Sequence, residues 1–282
     1  MPDRYATLRR IESLDPVADH HEILRLSSGY EFPWDYVKAL EFALFRTYCV
    51  PSISGLLART GEFAKRPQKR YDDTALLMAE LVEHGYDSPR GKEALRVVNR
   101  LHGRYAIAND DLRYVLSTFV YDPVDWLTRF GWRPPSDHEA LAAFHFYREV
   151  GARMGVKDIP RDYAEFRRFK EEFEEREFVY SDTNRAIGTY TIDLFCSWYP
   201  LIPARATRTA ILSFLDPRMS RAFGFPRPSP TVTLLTGTAL KLRSHVVRHL
   251  PPRRASTLTT QPKNRTYRGY PTGYHPSDLG AP

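Results

Sequence analysis

The stretch "YDSPRGKEALRVVNRLHGRY", Tyr86 to Tyr105, decides how this chain is read. Ser88 is a residue type that caps helices, and Pro89 suits the first helical position, where a missing N–H costs nothing. From there Leu95, Val98 and His102 recur at i, i+3 and i+7, the spacing of one helix face. A helix therefore runs from Pro89 and ends with an imidazole in line with its apolar stripe. Such a histidine is either a satisfied core residue or a ligand. Gly103, directly after it, leaves room for a flat ligand to approach.

The same pattern continues in both directions. Upstream, "DTALLMAELVE" (Asp73 to Glu83) is amphipathic and meets a stop at Gly85. "WDYVKALEFALFRTY" (Trp34 to Tyr48) places Val37, Leu40, Ala43 and Leu44 on one face. Downstream, Asn109 is positioned to cap "DDLRYVLSTFVYD", with Pro123 as a point of interruption or kink. Ser136 and Glu139 form a capping box for "DHEALAAFHFYREVGARMG". Pro160 opens "RDYAEFRRFKEEFEERE", with Tyr163, Phe166, Phe169 and Phe173 as an aromatic stripe. Ser181 or Asp182 starts "TNRAIGTYTIDLFCSW", and a last helix spans about Thr231 to His249. Alternating runs with Asn-Gly or Asp-Gly turns are missing, as are internal repeats. The fold class is all-α. An extension at 1–33 precedes a single multi-helix domain at 34–250, and an irregular Pro- and Tyr-rich tail at 251–282 follows it.

Composition narrows the chemistry. The 282 residues suffice for a core that encloses a cofactor, and 13% aromatic content suits a large flat apolar cavity or an aromatic-heavy core. The formal charge is +7, and from Lys241 onward eight Lys and Arg face one acid, Asp278. Such a tail can meet anionic lipid or remain solvated. Two distant cysteines, Cys49 and Cys196, without a CxxC, exclude a zinc ribbon and a cysteine-ligated cluster, and point to a reducing compartment. No leader-like apolar run and no stretch of eighteen apolar residues are present, so a cytoplasmic, at most membrane-peripheral, protein is expected.

Glu-x-x-His pairs, HExxH, GxSxG, a P-loop and GxGxxG are all missing, and nothing beyond basic charge suggests nucleic-acid binding. Of nine histidines, His102 is the one on an apolar helix face near a useful partner set. "KRPQKRYDDT" sets Arg70 and Thr74 one turn apart at a helix start. A guanidinium fork and a small hydroxyl suit a bound oxygen or a carboxylate; an incidental helix N-terminus would look the same.

The block from Arg70 to Trp126, "RYDDTALLMAELVEHGYDSPRGKEALRVVNRLHGRYAIANDDLRYVLSTFVYDPVDW", resembles the MpaB/rubber-oxygenase family, in its MpaB branch. The likeness is looser from Trp34 to about Trp198 and weakens in the C-terminal third. The resemblance implies an all-α domain holding haem b, with His102 as the iron ligand and Arg70 and Thr74 on the haem's other face. Dioxygen and a lipophilic, isoprenoid-like substrate are the implied partners, and oxidative cleavage of a carbon–carbon double bond is the implied reaction. Two features differ from the rubber-cleaving relatives. Asp73 stands where they carry a lysine able to cap the iron, and "PSISGLLART" offers Ser52 and Ser54 where they carry a helpful acid. Phe119, Tyr114 and the Tyr163–Phe173 stripe are candidate substrate walls. A haem carrier or sensor without turnover, and a haem-free basic helical module on membranes, are the competing readings.

Overall fold

In the computed structural model, residues 3–260 and 269–280 are described. The order is α1 (Ala6–Glu12), α2 (His20–Leu26), a π-turn (Ser27–Glu31), α3 (Pro33–Thr47), α4 (Pro51–Thr60), α5 (Glu62–Lys65), α6 (Pro67–His84), α7 (Pro89–His102), α8 (Asn109–Phe130), α9 (Asp137–Arg153), α10 (Tyr163–Glu177), α11 (Asp182–Ser197), α12 (Ala204–Leu212), α13 (Pro217–Phe223), α14 (Pro230–Arg248) and a 3₁₀ turn (Pro276–Asp278). No strand forms among the described residues. The fold is all-α.

Local chemistry explains most boundaries. Proline sits in the first turn of α3, α4, α6, α7, α13 and α14, where its fixed φ is already helical. The Ser136–Glu139 capping box forms in both directions, and Ser181 caps α11 through the Asn184 amide. Three starts differ from expectation. α6 begins at Pro67, so Arg70 and Thr74 lie inside the helix rather than at its edge. Asn109 is no cap: its side chain accepts from the Lys157 amide at 2.8 Å and donates to the Lys157 carbonyl at 3.0 Å, and Ala108 takes the cap position. α10 starts at Tyr163, where Asp162 supplies the cap that Pro160 cannot. Pro123 lies within α8, which continues to Phe130.

Two hydrophobic clusters meet at α3. The larger joins α2, α6, α7, α8 and α9 around Leu24, Leu76, Leu95, Tyr121 and Phe144. The smaller joins α3, α11 and α13 around Phe45, Ile192 and Phe223. Buried ion networks pin the periphery. Arg133 holds Glu31 at 2.9 Å and Glu139 at 2.6 Å; Arg46 gathers Asp122, Glu174 and Asp216. Removing one partner from such a set strands a buried charge, so these residues are structural anchors.

The C-terminal segment is irregular but is not a solvated strand of chain over its described length. Ser256 and Leu279 are buried, the Thr257 amide donates to the Gly29 carbonyl at 3.0 Å, and the Tyr274 hydroxyl donates to Glu80 at 2.6 Å. The basic residues Lys263, Arg265 and Arg268 lie outside the described residues. No helix among the described residues is long and apolar enough to cross a membrane.

Candidate functional site and adjoining cleft

The site begins with a tight helical hairpin. Gly85 ends α6 with φ 79°, a conformation that favours glycine. Ser88 caps α7 by accepting from the Gly91 amide at 3.0 Å. Gly91 permits the close crossing: a Cβ there would lie 1.9 Å from the Gly85 carbonyl oxygen. Gly91→Ala must push backbone away from backbone, so a loss of about 2–3 kcal/mol is expected, read as a drop of several degrees in Tm by thermal denaturation. Across the hairpin Arg90 grips the buried Glu80 with two hydrogen bonds of 2.7 and 2.6 Å. Burial raises the Glu80 carboxyl, but the Arg90 fork and the Tyr274 hydroxyl outweigh it and hold its pKa below the usual range.

An antiparallel hairpin sets residues equally far from its turn at the same level. Arg70 lies fourteen residues before His84, and His102 thirteen after Pro89, so both stand at the open end. The Arg70 charge acts on the His102 ring. Burial first, and that charge second, push the imidazole from its ordinary 6.5 to about 4. No hydrogen bond reaches either ring nitrogen among the described residues. His102 is therefore a neutral imidazole with uncommitted nitrogens, the state in which histidine binds a metal. Arg70 Nη1 donates to Thr74 Oγ1 in a short contact. Gly103 is an exposed C-cap residue in ordinary helical conformation.

The depressed pKa has a consequence for stability. Between pH about 6.5 and about 4 the unfolded chain takes up a proton that the folded chain refuses. The stability associated with neutral His102 is complete above pH about 6.5 and falls as pH drops toward 4. The expected loss is on the order of 2 kcal/mol at most, since the ring is partly exposed. Urea midpoints measured across this range should fall more steeply for the wild type than for His102→Gln.

Beside Arg70 and Thr74 a cleft runs along the junction of the two hydrophobic clusters. Its upper chamber, about 90 Å³, is walled by Leu24, Leu40, Met78, Val82, Phe119 and Tyr147, among others. The lower, about 30 Å³, is walled by Tyr48, Phe63, Arg70, Leu194 and Phe195, among others. Thr74, Tyr71, Leu44 and Glu41 belong to both and form the waist. His102 is not on the wall of either chamber, so the structure joins Arg70 to Thr74 and the cleft, and His102 to Arg70.

Glu41 is a functional candidate the motif search missed. Among the described residues it is the single carboxylate on the two walls, and it is buried. It accepts from the Tyr71 hydroxyl at 2.7 Å and from Lys38 Nζ at 2.8 Å. Burial, followed by the Glu41 charge, drives the Tyr71 phenol well above its ordinary range, so it remains a donor. A signal was present: Glu41 interrupts the Val37–Leu40–Leu44 stripe, four residues after Val37.

Asp73 is committed elsewhere. Lys69 Nζ reaches it at 2.9 Å, the Tyr270 hydroxyl donates to it in a short contact, and the same Lys69 donates to the Gly280 carbonyl at 3.0 Å. It ties α6 to the C-terminal segment, which in turn lends Thr257, Leu258 and Thr259 to the upper chamber. Among the aromatic candidates, Phe119 lines the cleft. Tyr114 and Phe173 instead stack on each other, 4.5 Å apart, inside the core.

The family model of the ER-bound oxygenase mpaB/B'/rubber oxygenase catalytic domain matches residues 44–248. Among curated proteins, the chain is 38% identical to ER-bound oxygenase mpaB of Penicillium roqueforti (strain FM164) over 166 residues, 55% of this chain and 56% of that protein. It is 30% identical to ER-bound oxygenase mpaB' of Penicillium brevicompactum over 269 residues, 88% of this chain and 63% of that protein. It is 29% identical to ER-bound oxygenase mpaB of Penicillium brevicompactum over 257 residues, 88% of this chain and 62% of that protein. The chain thus spans about three fifths of the length of these relatives. With a helical catalytic domain matched over most of its length, the chain belongs to the MpaB/rubber oxygenase family.

Proposed function

We propose that the chain is a haem b-dependent oxygenase that uses dioxygen to oxidise or cleave a carbon–carbon double bond in a lipophilic, isoprenoid-like substrate. The observation that carries this reading is His102, a neutral imidazole with no hydrogen bond among the described residues, set opposite Arg70 at the open end of the α6–α7 hairpin. The donor set fits haem. No three His, Cys, Asp or Glu side chains gather into a metal-binding group among the described residues. Iron held through a single imidazole therefore needs ligands from outside the chain, which a porphyrin provides.

When bound, haem supplies the redox chemistry that activates dioxygen. The chain's own residues set its surroundings. His102 would be the protein ligand, kept neutral by burial and by Arg70. The Arg70 guanidinium is a fixed fork of donors for a carboxylate or a reduced oxygen species. Thr74 Oγ1, at the waist of the cleft, donates to the Arg70 carbonyl at 3.2 Å and would turn from it to donate to an oxygen atom of the substrate or oxidant. The apolar walls orient a hydrocarbon chain and exclude water. Glu41 is the group able to take a proton at its carboxylate oxygen and return it, with the Tyr71 hydroxyl stabilising its charged form. The names of the matched relatives, which call them oxygenases, support the reaction class.

Oxygen uptake by the haem-loaded full chain with a polyprenyl substrate tests the reading. Uptake in step with loss of double bonds is expected. Haem-loaded protein that consumes no oxygen with such substrates would mark a carrier or sensor instead.

A further inference from the structure

We propose that the outer face of α14, together with the Tyr199–Ile202 loop, is a docking surface for an anionic lipid bilayer. The first observation is exposure. Along α14 and just beyond it, Leu234 (70% exposed), Leu242 (64%), Val246 and Leu250 follow one another at steps of four or eight residues, with Leu235 beside them. On a 3.6-residue helix Leu235, Leu242 and Val246 share one stripe, with Leu234 about 80° to one side of Leu242 and Leu250 just past the helix end. Solvent-facing helix positions ordinarily carry charge, and a contiguous apolar stripe marks a surface that is covered in use.

Neighbouring elements extend the stripe. Val232, Leu235 and Thr236 of α14 face Pro203, Ala206 and Ala210 across a shallow groove to α12. Directly before Pro203 come Leu201, 97% exposed, and Ile202, 49% exposed. An apolar loop tip and an apolar helix ridge thus form one continuous surface.

Charge decides what covers it. Lys241, His245 and Arg248 fall on the flank of the same exposed face, and all three are exposed. Between Asp216 and Asp278 the sequence holds no Asp or Glu. A leucine-rich stripe with a purely basic border matches a surface with apolar depth and negative headgroups. A second copy of this chain would set that basic border against its own. α14 cannot span a bilayer, so it lies along the surface, with its 19 residues covering about 28 Å.

The docking helix is also tied to the elements that wall the cleft. On the inner side of α14, Arg243 holds Asp35 at 3.0 Å and stacks its guanidinium 3.8 Å from the Trp34 ring. Pro33 and Val37, on either side of those residues, line the upper chamber. The upper chamber thus adjoins elements packed on the inner side of α14, one helix away from the docking face. The inference does not rest on haem or on turnover.

The test is co-sedimentation of the full chain with vesicles of phosphatidylcholine alone or mixed with phosphatidylserine. Binding to the mixed vesicles, weakened by salt and by omission of phosphatidylserine, is expected. Leu234→Glu combined with Leu242→Glu should weaken it at least about tenfold, from the apolar area lost. Lys241→Glu combined with Arg248→Glu should lower it at least about fivefold, on the phosphatidylserine-containing vesicles. All four positions are exposed, so Tm should not change. A wild type that does not sediment with vesicles, or variants that sediment as well as the wild type, would overturn the proposal. So would a wild type that self-associates through this ridge and ignores lipid.

Discussion

His102→Ala is expected to abolish haem binding and reduce oxygenase turnover to background while the protein stays folded. The side chain makes no hydrogen bond among the described residues, so its removal strands no polar partner. What is lost is part of a buried ring, a cost of about 1 kcal/mol or somewhat more, within the ordinary range of point substitutions. The ligand role and a core role therefore separate cleanly. A core histidine would lower Tm and leave cofactor binding intact; a ligand lowers binding and leaves Tm nearly intact. Added imidazole entering the space left by the ring should restore part of the haem absorption in the alanine variant. Because the ring of the wild type titrates near 4 rather than 6.5, its haem affinity should also stay level from pH about 8 to about 5 and fall only as pH approaches 4.

The second large effect is expected at Glu41. Glu41→Gln keeps the size of the side chain and an acceptor for the Tyr71 hydroxyl, but cannot take up a proton. A positioned acid or base typically contributes 10²- to 10⁴-fold, so kcat should fall by roughly 10²-fold or more, with KM changed little. If Glu41 only braces Lys38 and Tyr71, the glutamine variant should lose stability and keep kcat. Glu41→Asp, which retains the carboxylate but shortens its reach, should recover part of the rate.

These two residues show what the sequence makes legible and what it hides. The α6–α7 hairpin could be read directly, because Gly85, Ser88 and Pro89 are local signals with local causes. The facing of Arg70 and His102 follows from counting equal distances from that turn. Both depend on contacts near in sequence. Glu41 depends on α3 meeting α6 at the junction of two core clusters, a contact that no helix wheel of α3 contains, although an acid in an apolar stripe was a hint. The C-terminal segment reads from composition as an irregular tail lying over the surface or partly disordered; composition does not tell that the hydroxyls of Tyr270 and Tyr274 reach buried carboxylates at Asp73 and Glu80. Leu279 completes the larger core. Asn109 misled by type: a good capping residue was placed where Lys157 offered both its backbone groups. Asp73 itself is not on the wall of either chamber. Lys69, one turn earlier, is taken up by Asp73 and the Gly280 carbonyl.

The most direct measurement is a titration of the purified wild-type chain with haemin, followed in the visible spectrum before and after reduction. A saturable Soret band at one haem per chain, missing from His102→Ala, is the expected result. A wild-type chain that gives no Soret band beyond that of free haemin, or an alanine variant that binds haem with an unchanged spectrum, would contradict the assignment of His102 as the iron ligand.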